Sequence, residues 1–325
     1  MKLKEIYRLV EADLDEVKRQ RRSVTRVSPP HLAEMLRHIL GGGKVMRPAL
    51  TLLAGRFYEY DLKLLLPMAT AIELMHTATL VHDDAIDKSV VRRVKPTINQ
   101  RWGEEKAVLL GDYLFARAGE FAAETGNMRT IKLFSRTLQT ICRGEIMQSQ
   151  DAFKLEQSRE HYLERIAGKT AALFTLSTVS GAVLSRAPEA SIKILEEYGY
   201  NLGLAFQIVD DILDFVGTEK EMGKPIGSDL SQGTLTLPAM LLLEQYPEDN
   251  PVKELCQNPD ISEKDKQAKV RRAIEMVSAS PIVKQCYETA SGYCDRACRD
   301  LDKLPDNPSR RALRDLTDLV ISRKN

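Results

Sequence analysis

The chain has 325 residues, 43% of them hydrophobic and 29% charged, and a formal net charge of +1 at pH 7. That is enough apolar material for one large domain or two small ones, and it excludes a disordered chain. A charge this close to zero, with no basic stretch interleaved with aromatics, gives no footprint for nucleic acid or an anionic membrane.

The N-terminus, Met1-Lys2-Leu3-Lys4-Glu5, lacks the apolar core of a signal peptide. No run approaches the ~20 consecutive apolar residues of a membrane span, so the expectation is a cytoplasmic protein with no transmembrane segment. The five cysteines (Cys142, Cys256, Cys286, Cys294, Cys298) are an odd set without framework spacing. They read as buried or idle thiols in a reducing compartment.

In chain order, β-branched alternation is scarce and apolar residues recur at three- and four-residue spacing, which predicts an all-α protein. Helices are expected over 3–20 and 30–40, with Ser28-Pro29-Pro30 breaking the chain between them. Gly41 to Pro48 reads as a loop, and Pro48 suits the first turn of a helix running to about Tyr58. A long apolar helix covers 63–86, a basic irregular connection covers 88–102, and further helices cover 104–123, 129–152, 159–183 and 189–216. Residues 217–234 are Gly-rich and polar, a helix follows near 237–245, and three or so polar helices complete the chain. No linker separates domains, so residues 1–325 are expected to form one domain with its central helices packed as a bundle. Gly199 and Gly203 fall inside a predicted helix, where each costs about 1 kcal/mol against Ala; close approach of a neighbouring helix explains them.

Two acid clusters stand out. The helix-like run from Leu74 ends in Asp83-Asp84-x-x-Asp87, and Phe206-Gln207-Ile208-Val209 leads into Asp210-Asp211-x-x-Asp214. At i and i+4, Asp83 and Asp87 share a helix face with Asp84 flanking. Like charges at that spacing oppose a helix by about 0.2–0.5 kcal/mol. A solvated acidic helix end would account for one such cluster. Two of identical spacing, each behind an apolar run, point to a hard divalent cation with oxygen ligands, Mg2+.

Cations sit at helix ends: Lys44, Arg47, Arg92, Arg93, Lys169 and Lys224. Gly42-Gly43-Lys44-Val45-Met46-Arg47-Pro48 offers flexible backbone and two cations at a helix start, an arrangement suited to phosphate. Gly168-Lys169-Thr170 interrupts an apolar helix. Arginine grips phosphate oxygens bidentately, while lysine acts as a point charge. Acids that need cations, and cations that need anions, imply a ligand bridged by metal, and a diphosphate fits both.

These fragments, in this order, resemble the trans-isoprenyl diphosphate synthases, or polyprenyl synthetases. The match runs from the Gly41 loop to Pro238 and also includes Gly111-Asp112, Gly223-Lys224-Pro225 and Gly227-Ser228-Asp229-Leu230. The resemblance implies the isoprenoid synthase type I fold, a single large helical bundle around a central cavity. It implies Mg2+-dependent, head-to-tail condensation of isopentenyl diphosphate with an allylic prenyl diphosphate. Mg2+ would sit on Asp83, Asp87 and Asp210, with Asp214 counted in the metal site and Asp84 and Asp211 in catalytic support. Arg92, Lys169 and Lys224 would hold the allylic diphosphate. Lys44, Arg47, His76 and Arg93 would hold isopentenyl diphosphate without metal. Thr170 and Gln207 would line the reacting centre and stabilise the carbocation. The family also implies a homodimer.

Three positions depart from the family pattern: Val45 and Thr234, where a cation is usual, and Val94, where Gly is usual. Loss of the cation at Thr234 predicts weaker allylic binding. Ala78 and Thr79 lie about one helical turn before Asp83. Their small side chains resemble octaprenyl- and solanesyl-type enzymes, which predicts a product longer than geranylgeranyl diphosphate. The competing readings are a farnesyl- or geranylgeranyl-length synthase and a non-catalytic subunit of a heteromeric synthase. The subunit reading sits poorly with two intact acid motifs. A class I terpene cyclase would lack the isopentenyl site, and a ligand-free helical scaffold would leave six aspartates unexplained.

Overall fold

A computed structural model describes residues 3–43, 45–92, 95–218, 225–259 and 261–323. Helix α5 (Leu62–Ile86) starts at Asp61, whose side chain accepts from the Lys63 N–H. It is apolar on nearly every side, because α2 (Glu11–Ser23), α4 (Met46–Gly55), α7 (Glu104–Glu124) and α10 (Ala172–Leu184) all pack around it. Helix α11 (Glu189–Val216) packs along α10, and α16 (Ile282–Cys298) packs against α11. The acid clusters are the C-terminal turns of α5 and α11.

The expected helix over 3–20 is two helices, α1 (Leu3–Tyr7) and α2, separated by a turn. The bend lets α1 reach α17 (Pro308–Ile321) while α2 packs on α5. The connection over 88–102 is more regular than its composition predicted. Val91–Arg92 (β1) pairs antiparallel with Lys95–Pro96 (β2), and Thr97 then caps α6 (Ile98–Trp102) by accepting from the Gln100 N–H. The remaining helices are α3 (Pro30–Ile39), α8 (Met128–Asp151), α9 (Arg159–Ile166), α12 (Ser228–Ser231), α13 (Leu237–Gln245), α14 (Pro251–Gln257) and α15 (Glu263–Ser278).

One expectation is corrected. Two helical stretches, Leu62–Ile86 and Arg159–Leu184, are long and apolar enough by composition to cross a bilayer. In each, 72% of the apolar window is buried inside the protein, so other helices, not lipid, take up these faces.

Gly199 and Gly203 are explained by contact. A Cβ at Gly203 would lie 2.5 Å from Ala171 Cα, and one at Gly199 2.3 Å from Thr178 Oγ1. Only bare backbone on α11 lets α10 and the turn before it come this close.

Candidate active site

The end of α5 divides its three acids between two jobs. Asp83 and Asp87 are half-buried on one face, as their spacing predicted. Asp84 points inward, is 2% exposed, and accepts from Arg92 Nε at 2.7 Å. The β1–β2 pair thus brings Arg92 back onto the helix that precedes it. Burial pushes the Asp83 carboxyl up; Glu145 and Asp87 add to the rise, while Lys169 and Arg92 oppose it. Asp87 is raised by burial in the same way, with Lys169 again opposing and Glu145 and Asp229 adding.

Lys169 comes from an irregularity in the backbone. Residues Ala167–Ala171 form a π turn between α9 and α10, so the apolar helix expected over 159–183 is broken at Gly168-Lys169-Thr170. Such wide turns re-aim side chains and are frequent at functional sites. Here the turn sends consecutive residues to different clusters. Lys169 Nζ lies 2.8 Å from Glu145 Oε1 on α8 and acts on Asp83 and Asp87. Burial alone would lower its pKa, but Asp83, Glu145 and Asp87 outweigh that and raise it. Thr170 Oγ1 donates to Gln207 Oε1 on α11 at 2.5 Å.

The second cluster is used differently. Asp210 is half-buried, and its Oδ1 lies 2.9 Å from Arg323 Nη1, whose guanidinium stacks 4.6 Å from the Phe206 ring centroid. Asp211 is 2% exposed and accepts from Tyr162 Oη at 2.7 Å and Gln207 Nε2 at 2.8 Å. Burial, with Asp229 adding, raises its carboxyl to about 7. Asp214 is fully buried and accepts from Ser228 Oγ and the Asp229 N–H, both at 3.1 Å. Asp214, expected in the metal set, accepts both of these donors and so ties α11 to the turn that starts α12.

The two clusters are linked through shared neighbours. Lys169 acts on the first and its neighbour Thr170 is bonded through Gln207 to the second. Asp229 raises both Asp87 and Asp211. Among the described residues, no three acid, His or Cys side chains gather into a closed ligand cluster. Mg2+ is usually bound by one or two carboxylates plus substrate phosphates and keeps several waters. Three half-buried carboxylates (Asp83, Asp87, Asp210), each with a protein cation pressed near it, supply oxygen donors with charge to be neutralised.

Arg47, the described member of the Gly-loop pair, is half-buried on α4 with its guanidinium 4.9 Å from the Phe174 ring centroid. The loop before it is held from below: Arg21, buried beside Glu73 at 3.7 Å, donates to the carbonyls of Leu40 and Gly42. Val45 caps α4 with φ of 45°, a strained conformation for a β-branched residue. His76 is half-buried on α5. Ala78 is fully buried, whereas Thr79 is half-buried and donates to the His76 carbonyl at 2.8 Å. Thr234 donates its N–H to the Asp229 carbonyl. Lys44, Arg93, Val94 and Lys224 lie outside the described residues. Sequence reasoning missed Glu145, Tyr162 and Arg323 altogether, and quoted Asp229 without a role. Each reaches the site from another element, so no local spacing marks it.

The sequence profile of the polyprenyl synthetase family matches residues 29–277. The chain is 41% identical over 317 residues to heptaprenyl diphosphate synthase component 2 of Geobacillus stearothermophilus, covering 97% of each chain. It is 36% identical over 320 residues to chloroplastic solanesyl diphosphate synthase 1 of Arabidopsis thaliana, covering 96% of this chain and 77% of that one. Its fold matches the crystal structure of a polyprenyl synthase from Caulobacter crescentus CB15, complexed with calcium and isoprenyl diphosphate. The TM-score is 0.94 at 34% identity, covering 100% of this chain and 98% of the other. Profile, full-length relatives and fold agree with the motifs at the ends of α5 and α11: the chain belongs to the polyprenyl synthetase family, the trans-isoprenyl diphosphate synthases.

Proposed function

We propose that the chain is a Mg2+-dependent trans-polyprenyl diphosphate synthase that adds isopentenyl diphosphate to an allylic prenyl diphosphate and makes products longer than geranylgeranyl diphosphate. The observation that carries this reading is that two acid-tipped helices are linked through the consecutive residues Lys169 and Thr170, the first acting on one cluster and the second bonded through Gln207 to the other. Mg2+ held by Asp83, Asp87 and Asp210 would neutralise the diphosphate as charge develops on it. Lys169 and Arg92 lie beside the first cluster, where they would contact the same leaving group. Breaking its C–O bond leaves an allylic cation. The oxygens of Thr170 and Gln207 stabilise that cation electrostatically. Arg47 and His76 orient isopentenyl diphosphate for attack by its double bond. The released diphosphate takes the proton then lost. Packed apolar helices below the site exclude water that would quench the cation.

The long product is supported by the small side chains at Ala78 and Thr79 and by the heptaprenyl and solanesyl names of the two relatives. The homodimer that the family resemblance implies would cover exposed Val108 and Leu109 on α7. Five free cysteines support a cytoplasmic setting.

The test is incubation of purified protein with Mg2+, labelled isopentenyl diphosphate and farnesyl diphosphate, followed by chromatography of the products. Chains longer than geranylgeranyl are expected, and Thr79→Tyr, which puts a large ring at the accessible position of the pair, should shorten them. A product of geranylgeranyl length or less from the unaltered protein refutes the long-chain assignment. The relative named component 2 favours a second reading, in which this chain is one component of a two-component synthase. That reading predicts no incorporation by the purified chain alone and incorporation when a second protein component is restored.

A further inference from the structure

A tyrosine distant from both acid motifs completes a buried chain of hydrogen bonds that ends at the reacting centre. Tyr162 on α9 is fully buried and donates to Asp211 Oδ2 at 2.7 Å. Gln207 Nε2 donates to the other oxygen, Asp211 Oδ1, at 2.8 Å. Thr170 Oγ1 donates to Gln207 Oε1 at 2.5 Å. The ionised Asp211 carboxylate only accepts, so while it is ionised the amide edge facing it is the NH2 and the opposite edge is the carbonyl. Thr170 directs its only hydroxyl proton at that carbonyl. The lone pairs of two oxygens then remain at the open edge of the pair. With the amide turned over, an N–H would stand there instead and repel positive charge. The bare backbone at Gly203, one turn before Gln207, lets Ala171 approach and so brings Thr170 into reach.

We propose that Asp211 and Tyr162 are positioning residues. They lock the Gln207 amide so that oxygen, not N–H, faces the carbocation of the condensation proposed above, on which this inference rests. Asp211 therefore differs in kind from Asp210 beside it. Asp210 offers its carboxylate to the cation site, and Asp211 spends both oxygens inside the protein.

The experiment is a polarity exchange. Asp211→Asn keeps the shape, but the new carboxamide accepts from Tyr162 and donates toward position 207, which turns the Gln207 amide over. The expected result is a loss in kcat of about 10²-fold, the size of one preorganised polar contact. KM for both diphosphates and Mn2+ affinity, read by electron paramagnetic resonance, should stay at wild-type values. Tyr162→Phe removes one donor and leaves the amide orientation biased, so its loss in kcat should be smaller, with the same unchanged KM. The double variant Asp211→Asn/Gln207→Glu restores an oxygen on both edges of position 207 and should recover most of the lost kcat; melting curves confirm that each variant folds. Weakened Mn2+ affinity in Asp211→Asn, or no recovery in the double variant beside an active wild type, overturns the inference. A wild-type protein that condenses nothing overturns the reading beneath it.

Discussion

The ends of α5 and α11 carry the same acid spacing and use it in opposite proportions. On α5 two aspartates, Asp83 and Asp87, are accessible and one, Asp84, is buried against Arg92. On α11 one aspartate, Asp210, is accessible, and two, Asp211 and Asp214, are buried among protein donors. Equal acid spacing thus yields one cluster built mainly to meet a ligand and one built mainly to hold its surroundings. The difference comes from what covers each helix end. A two-residue strand pair flanks α5, whereas the turn entering α12 lies directly on α11 and takes Asp214.

The largest effects should follow this division. Asp83→Asn and Asp210→Asn are expected to lower kcat/KM by about 10³-fold or more, because each removes charge where the leaving group must be neutralised. Their unfolding midpoints should stay near wild type, and steady-state assays across a Mg2+ titration check this. Asp214→Ala should do the reverse. It removes the acceptor shared by the Ser228 hydroxyl and the Asp229 N–H, leaving Ser228 only Asp229 Oδ1 at 3.5 Å, and the expected loss is about 1–3 kcal/mol, read by chemical denaturation. A stable Asp214→Ala protein with a raised Mg2+ requirement would erase the contrast between the two ends.

A second test uses pH. The Asp211 carboxyl is raised from 3.8 to about 7 by burial. A raised carboxyl favours the folded state while protonated, so its contribution is fully present below 3.8 and is lost as pH rises through about 7. In cation-free buffer the wild type should therefore lose stability relative to Asp211→Asn between about pH 4 and pH 7. Parallel denaturation curves across that range would show that burial does not set the charge state of this carboxyl.

The smallest effect is expected at Arg323. Its guanidinium lies 2.9 Å from Asp210 in the structure without metal, and side-chain exposures of 24% and 30% leave the pair open to screening. Arg323→Ala should tighten Mn2+ binding severalfold at low salt and less at high salt, as titration calorimetry would record. Weaker Mn2+ binding would instead make Arg323 part of the ligand-holding set.

The sequence alone determined the all-α class, most helix limits, the accessible face of the first acid cluster and the family, because each rests on short-range periodicity or on ordered local motifs. Asp83 and Asp87 lie four apart on one helix face, and that geometry survives folding unchanged. Asp210 and Asp214 have the same spacing, yet one is accessible and the other fully buried. No local rule separates them, since the turn that covers Asp214 belongs to a later segment. The same holds for Tyr162 on Asp211, 49 residues apart, and for the π turn that splits Lys169 from Thr170 between two clusters. Tertiary structure decided which carboxylates face a ligand, because burial and partner donors are set by elements remote in the chain.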